Sequence, residues 1–134
     1  MKRVVFSIAL AASLAFLGCS KKSSPEDAVK AYFDSFKTGD YEELKNSVTT
    51  ETFKWLNSAL MLACKKDEMP KDCFKKRVEK NGNVYKNFEI VKTEKIDDKH
   101  AYVLVKEYKK DGSVVTEKVP VVKTEKGWKV SITK

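Results

Sequence analysis

Three cysteines, one histidine and nineteen acidic side chains are the groups of this 134-residue chain most suited to chemistry. Cys19, Cys64 and Cys73 could attack a carbonyl, bind a metal or pair with one another. A zinc site would need four ligands, commonly in close pairs such as Cys-x-x-Cys. No such pair occurs and His100 stands alone, so neither a metal centre nor a cofactor is expected. His100 follows Asp97-Asp98-Lys99, a run typical of a solvated turn and a poor setting for a buried base. Asp34 falls on the polar side of a helical pattern, and Asp40 at a cap position. Glu89, Glu94 and Glu107 alternate with lysines in strand-like segments, which predicts cross-strand pairs on a wet face. No catalytic residue is expected from these spacings.

Two kinds of element must position these groups, and the hydrophobic period changes partway along the chain. Ser24-Pro25-Glu26-Asp27 offers a serine cap, a proline at the first helical position and acids in the first turn. Ala28, Val29, Tyr32, Phe33 and Phe36 follow at spacings of three and four, predicting an amphipathic helix that ends at Gly39. Asp40, with Glu43 three residues on, predicts a second helix whose apolar side carries Tyr41, Leu44 and Val48. Thr49-Thr50-Glu51 opens a third, carrying Phe53, Trp55, Leu56, Leu60, Met61 and Cys64. As the most hydrophobic segment beyond residue 19, it is expected to be buried. Pro70 reads as a break, with a short fourth helix from Asp72 to Lys80.

Beyond Gly82 the period becomes two. Phe88 and Ile90 share one face, with Val91 and Thr93 on the other, and Ala101 to Val105 reads as a central strand. Asp111-Gly112 predicts a hairpin, from which Val114 to Val122 pairs back. Pro120 there demands an edge position or a bulge. Trp128, Val130 and Ile132 predict a half-buried last strand. The expected class is α+β, with N-terminal helices packed on a four-stranded antiparallel sheet.

The chain begins with Met1-Lys2-Arg3, and Val4 to Leu17 is a run of about fourteen largely apolar residues. Crossing a bilayer takes about 20. Only Ser7 and Ser13 are polar within the run, so it has no wet face for an ordinary surface helix. With Gly18-Cys19-Ser20 behind it, this stretch resembles the bacterial lipoprotein signal, in which small residues precede a cysteine that is cut and acylated. Gly18 and Cys19 match that motif, while Phe16 and Leu17 depart from it. The resemblance implies cleavage between Gly18 and Cys19, then a diacylglyceryl thioether and an amide-linked acyl chain on Cys19. One chain holds a protein only marginally, and two or more anchor it stably. Lys21 and Lys22 would add attraction to anionic headgroups of about 1 kcal/mol each. Ser20, where an aspartate would signal retention, implies by the same resemblance the periplasmic face of the outer membrane. The expected organisation is a signal peptide over 1–18, a lipidated tether over 19–24 and one α+β domain over 25–134. With Cys19 given to lipid in an oxidising compartment, the resemblance also implies a disulfide between Cys64 and Cys73.

The formal net charge of +8 would suit nucleic acid, but its pattern does not. Lys92-Thr93-Glu94-Lys95 and Lys123-Thr124-Glu125-Lys126 interleave the two signs, as a solvated surface does, so nucleic acid is not an expected partner. Lys65, Lys66, Lys71, Lys75, Lys76 and Arg77 are denser, crowding around the two later cysteines. They suit anionic lipid, an acidic envelope polymer or plain solvent.

The order of elements resembles the nuclear transport factor 2-like superfamily, in a branch of small bacterial lipoprotein domains. Two stretches carry the resemblance: Ser24 to Leu44, with its proline-started helix and Lys37-Thr38-Gly39-Asp40 turn, and Lys126-Gly127-Trp128-Lys129-Val130. It implies a curved sheet wrapped against helices as a cone, with a pocket at the open end. Enzymes of that superfamily place a carboxylate, histidine or tyrosine in the pocket, and no motif carries one over to this chain. Tyr32, Phe36, Trp55, Phe88, Tyr102 and Trp128 are the candidates to line a pocket or fill the core. The expected function is a non-enzymatic, lipid-anchored envelope domain that binds a partner protein or a small apolar ligand. A cone-pocket enzyme of isomerase or hydrolase type is the alternative, and a surface adhesion or inhibitor protein using the basic patch is a third.

Overall fold

The Ser24 side chain accepts a hydrogen bond from the Asp27 N–H at 3.1 Å, and Pro25 then occupies the first position of helix α1, Pro25–Thr38. This is a computed structural model, and it describes residues 24–81 and 85–132; Gly18 and Cys19 lie outside the described residues. Gly39 ends α1 at φ 79, and its N–H donates to the Ser35 carbonyl at 2.8 Å. A Cβ at Gly39 would stand 3.1 Å from the Lys75 Cα, so positive φ and close approach both favour glycine here. Asp40 caps α2, Tyr41–Ser47, by accepting from the Glu43 N–H at 3.0 Å. Thr49 caps α3, Thr50–Met61, and α4 runs Pro70–Asn81. Pro70 therefore starts the fourth helix and does not break it. The Met69 carbonyl accepts from the Cys73 N–H at 2.9 Å, the opening bond of that helix, and proline at the first position loses no bond there.

Four strands follow as an antiparallel meander in the order β1-β2-β3-β4: Tyr85–Lys95, His100–Lys109, Val114–Thr124 and Gly127–Val130. The first strand departs from simple alternation. Its register with β2 shifts between Ile90 and Lys92, leaving Val91 as the extra residue of a bulge. Phe88, Ile90 and Thr93 consequently oppose Glu107, Val105 and Val103, and all three face the core. Thr93 thus joins the face of Phe88 and Ile90, contrary to strict period two, and its hydroxyl donates to the Glu26 carboxylate on α1. Pro120 sits in an inner strand but where the β4 ladder runs out. Its carbonyl takes the Ser131 N–H at 2.9 Å just past the final Val121–Val130 pair, so the one ladder bond that proline cannot donate falls at the fraying end of the β3–β4 ladder.

Helix α1 lies across the sheet and touches all four strands. Val29 and Phe33 meet Val103, Val105, Val119, Val121, Trp128 and Val130 in one core, with Leu44, Val48 and Phe74 closing its side. Phe33 stacks on Phe88 with ring centroids 5.2 Å apart. Each such fully buried side chain contributes about 1.5–3 kcal/mol.

The third helix overturns the expectation of burial. Its one buried residue is Thr52, while Trp55 is 46% exposed and Leu62, just past its end, is 90% exposed. Polar bonds hold its start: Thr52 Oγ1 accepts from the Ile132 N–H at 2.9 Å, and the Thr49 N–H donates to the Val130 carbonyl at 2.9 Å.

Candidate functional site

Hydrophobic spacing on α3 turns Phe53, Leu56 and Leu60 toward the other helices, where they complete a cleft of about 220 Å³ with Phe36, Tyr41 and Phe74. The ring of Tyr41 stands edge-on to Phe53 and Phe74, at 5.5 and 6.1 Å, and Phe74 likewise to Phe36 at 5.6 Å. One polar pair interrupts this aromatic lining, the Tyr41 hydroxyl donating to Asn57 Oδ1 at 2.7 Å. Burial pushes the Tyr41 phenol above its ordinary range, and the neighbouring Glu42 charge pushes it the same way, so it remains a neutral donor. Arg77, exposed, reaches the edge of the cleft. Usual ligand pockets enclose about 300–1,000 Å³, so this one suits a short apolar tail or a partner's side chain.

Cys64 and Cys73 form a disulfide with Cα atoms 5.9 Å apart, tying the chain just past α3 to the first turn of α4, each cysteine next in sequence to a cleft residue, Ala63 and Phe74. Glu68 is the third member of a potential metal-ligating group with those two sulfurs. The sulfurs are bonded to each other, and the Glu68 carboxylate takes the Lys76 ammonium at 3.0 Å and the Lys65 N–H at 3.2 Å. Those bonds, the Lys76 one foremost, hold the Glu68 carboxyl below its ordinary range.

The six aromatic candidates do not converge. Trp128 is in the core at 5% exposure, and Tyr32, Phe36 and Phe88 pack partly buried against it. Phe36 alone of the six lines the cleft. Trp55 belongs to neither core nor pocket, because it projects from the face of α3 that no element among the described residues covers. Tyr102 is also misplaced by that expectation. It opposes Glu94 and Pro120 while its strand neighbours Ala101 and Val103 are buried, so it occupies the outer face of the sheet, with the Lys118 ammonium 4.8 Å from its ring.

Among the carboxylates, Glu94 meets Lys92 and Lys118 at 3.9 and 3.7 Å on that outer face, as its alternation predicts. Glu89 accepts from the Tyr108 hydroxyl at 2.9 Å there. Glu107 does not share it: opposite Phe88, it is 4% exposed on the core face. His100 is exposed and bonds Asp97 at 2.9 Å in the predicted turn, which lowers the Asp97 carboxyl. Sequence reasoning does not single out Tyr41, Phe53, Asn57 and Phe74 as cleft residues. Only the Phe53, Leu56, Leu60 stripe points toward them.

This arrangement defines an α+β protein of nuclear transport factor 2-like fold. It is similar to the crystal structure of a "Putative NTF2-like transpeptidase" from Campylobacter jejuni, at 16% identity over 83% of this chain and 100% of that one, with a TM-score of 0.52. The chain belongs to the family described as Domain of unknown function (DUF4878), which matches residues 17–131. Comparison with curated proteins gave no match.

Proposed function

We propose that this protein is a lipoprotein of the cell envelope, exported by residues 1–18 and acylated on Cys19, whose domain binds a partner protein or a small apolar ligand without catalysing a reaction. The observation that carries the binding reading is the cleft among α1, α2, α3 and α4: aromatic walls, one Tyr41–Asn57 pair, and a disulfide that ties two of its helices together. The anchor reading is supported by the residues at 1–19. The outer membrane is the destination that Ser20 favours.

A second reading, a pocket enzyme, draws support from the buried carboxylate of Glu107 and from the word transpeptidase in the neighbour's name. Acyl transfer needs an activated nucleophile. Cys64 and Cys73 are joined to each other, and the buried Ser35 and Ser47 hydroxyls donate to the Tyr32 and Leu44 carbonyls of their own helices. The binding reading is therefore preferred.

Capture of partners from detergent-solubilised envelope, with wild type beside Cys64→Ser/Cys73→Ser, tests the cleft. Recovery should fall in the variant as the tie between α3 and α4 is lost, and equal recovery removes the cleft as the binding site. Palmitate labelling tests the anchor in parallel. Wild type should label and Cys19→Ser should not; equal labelling overturns the anchor.

A further inference from the structure

Helix α3 is apolar on two faces. Phe53, Leu56, Ala59 and Leu60 line the cleft, whereas Trp55 and Leu62, seven residues apart and so on one face, form a second stripe that is exposed. Here one side is bare: Leu62 is 90% exposed and Met69, across the disulfide-closed turn, 64%. Exposed large apolar groups clustered in this way mark an interaction surface.

Cations surround the stripe. Lys54 is exposed on α3, Lys65 and Lys66 follow Leu62 within one turn's length, and Lys71 and Lys76 lie on α4. Glu51, Asp67 and Asp72 are exposed among them and Glu68 pairs with Lys76, and residues 51–77 still carry seven cations against four acids. Apolar side chains ringed by lysines suit the interface of an anionic bilayer, where the apolar groups enter the acyl boundary and the ammonium groups meet lipid phosphates.

Chain length brings such a surface near. Residues 20–23 separate Cys19 from Ser24 and allow a span of at most about 17 Å. Helix α1, fourteen residues long, is about 21 Å from end to end. Gly39 at its far end abuts Lys75 of α4. Lys75 of α4 therefore lies no farther from Cys19 than about the length of α1 plus this span.

We propose that the disulfide-closed α3–α4 hairpin is a second membrane contact, inserting Trp55, Leu62 and Met69 into the headgroup region of anionic lipid. The nearness of a bilayer rests on the envelope reading; the surface chemistry does not.

Trp55 is a built-in reporter, since the other tryptophan, Trp128, is in the core. The full chain, with vesicles of phosphatidylcholine containing phosphatidylglycerol and brominated acyl chains, should show a blue-shifted, quenched emission that is absent from Trp55→Phe. The half-saturating lipid concentration should rise about fivefold for each of Lys54→Ala, Lys65→Ala and Lys66→Ala, the equivalent of about 1 kcal/mol per lysine at such a surface. Leu62→Asp, at an exposed position where folding is not at risk, should abolish the shift. Flotation run alongside reports whether the chain is on the vesicles at all, and palmitate labelling reports the anchor separately. An unshifted Trp55 on chains that do float overturns the proposal, whatever the state of Cys19. So does a shift that Leu62→Asp leaves unchanged, or one that depends on protein concentration without lipid, which would assign the stripe to a second copy of the chain.

Discussion

Helix α1 with its sheet and the α3–α4 hairpin both carry apolar side chains at helical or strand spacing, and they dispose of them in opposite ways. Val29, Phe33, Val103, Val105, Val119 and Val130 are all at most 1% exposed, because the stripe of α1 lies across the face of a four-stranded sheet. Among the described residues helix α3 has neighbours on one side only, and it is further attached by bonds of another kind: the Thr52–Ile132 and Tyr41–Asn57 hydrogen bonds and the Cys64–Cys73 bond. Full burial holds one region, while partial burial of Phe53, Leu56 and Leu60, a few polar bonds and one covalent link hold the other. Hydrophobicity of a segment decides that it will seek apolar surroundings. It does not decide that the same chain will supply them.

The sharpest way to break this contrast is to truncate one large side chain in each region. Phe33→Ala, at 1% exposure, should cost about 3–5 kcal/mol in urea unfolding. Leu62→Ala should stay within about 0.5 kcal/mol. Comparable losses would mean that Leu62 is covered in the folded protein. Next in size is the disulfide. Cys64→Ser/Cys73→Ser should lose about 2.5–3 kcal/mol, the chain-entropy value for a loop of this length. Amide exchange locates the effect: protection should fall first in α3 and α4, with β2 and β3 falling only as far as global stability does. Uniform loss of protection would show the hairpin to be part of the same cooperative unit as the sheet.

Much of the first region is legible in the amino-acid sequence. Ser24, Pro25, Gly39 and Asp40 act through local backbone chemistry, and a cap or a left-handed turn needs no distant partner to be recognised. Asp111-Gly112 is legible for the same reason: Gly112 has φ 92, and Asp111 Oδ1 takes the Ser113 N–H at 2.8 Å. What sequence patterns miss depends on the third dimension. Trp55 looks like a core residue by type, and it is a surface one because no element among the described residues packs on its side of α3. Tyr102 follows the alternation correctly, but alternation cannot say which of two faces will meet the helices. Glu107 sits among lysines in the sequence, and the register opposite Phe88 is what turns it inward. Of the cleft, one wall is visible as a stripe on α3. Its other walls come from α1, α2 and α4 and depend on their packing.

The bulge at Val91 supplies the finest test, because it creates a contact across the well-packed region that period-two reasoning forbids. By turning Thr93 inward it lets the hydroxyl donate to the Glu26 carboxylate in the first turn of α1. That bond is the main reason the Glu26 carboxyl lies below its ordinary value, against a smaller opposing effect of burial. A carboxyl whose folded pKa is depressed stabilises the fold above its unfolded pKa, and the contribution is lost as pH falls through the folded value. Glu26 is partly solvated, so the effect should be no more than about 1 kcal/mol. Urea midpoints measured from pH 7 to about pH 3 should therefore fall more steeply for wild type than for Glu26→Gln, the two converging at the acid end. Thr93→Val should flatten the wild-type curve in the same window, since it removes the donor and leaves the carboxylate. If Thr93→Val keeps the wild-type slope, the bulge does not aim Thr93 at α1, and the register of β1 beyond Ile90 must be redrawn.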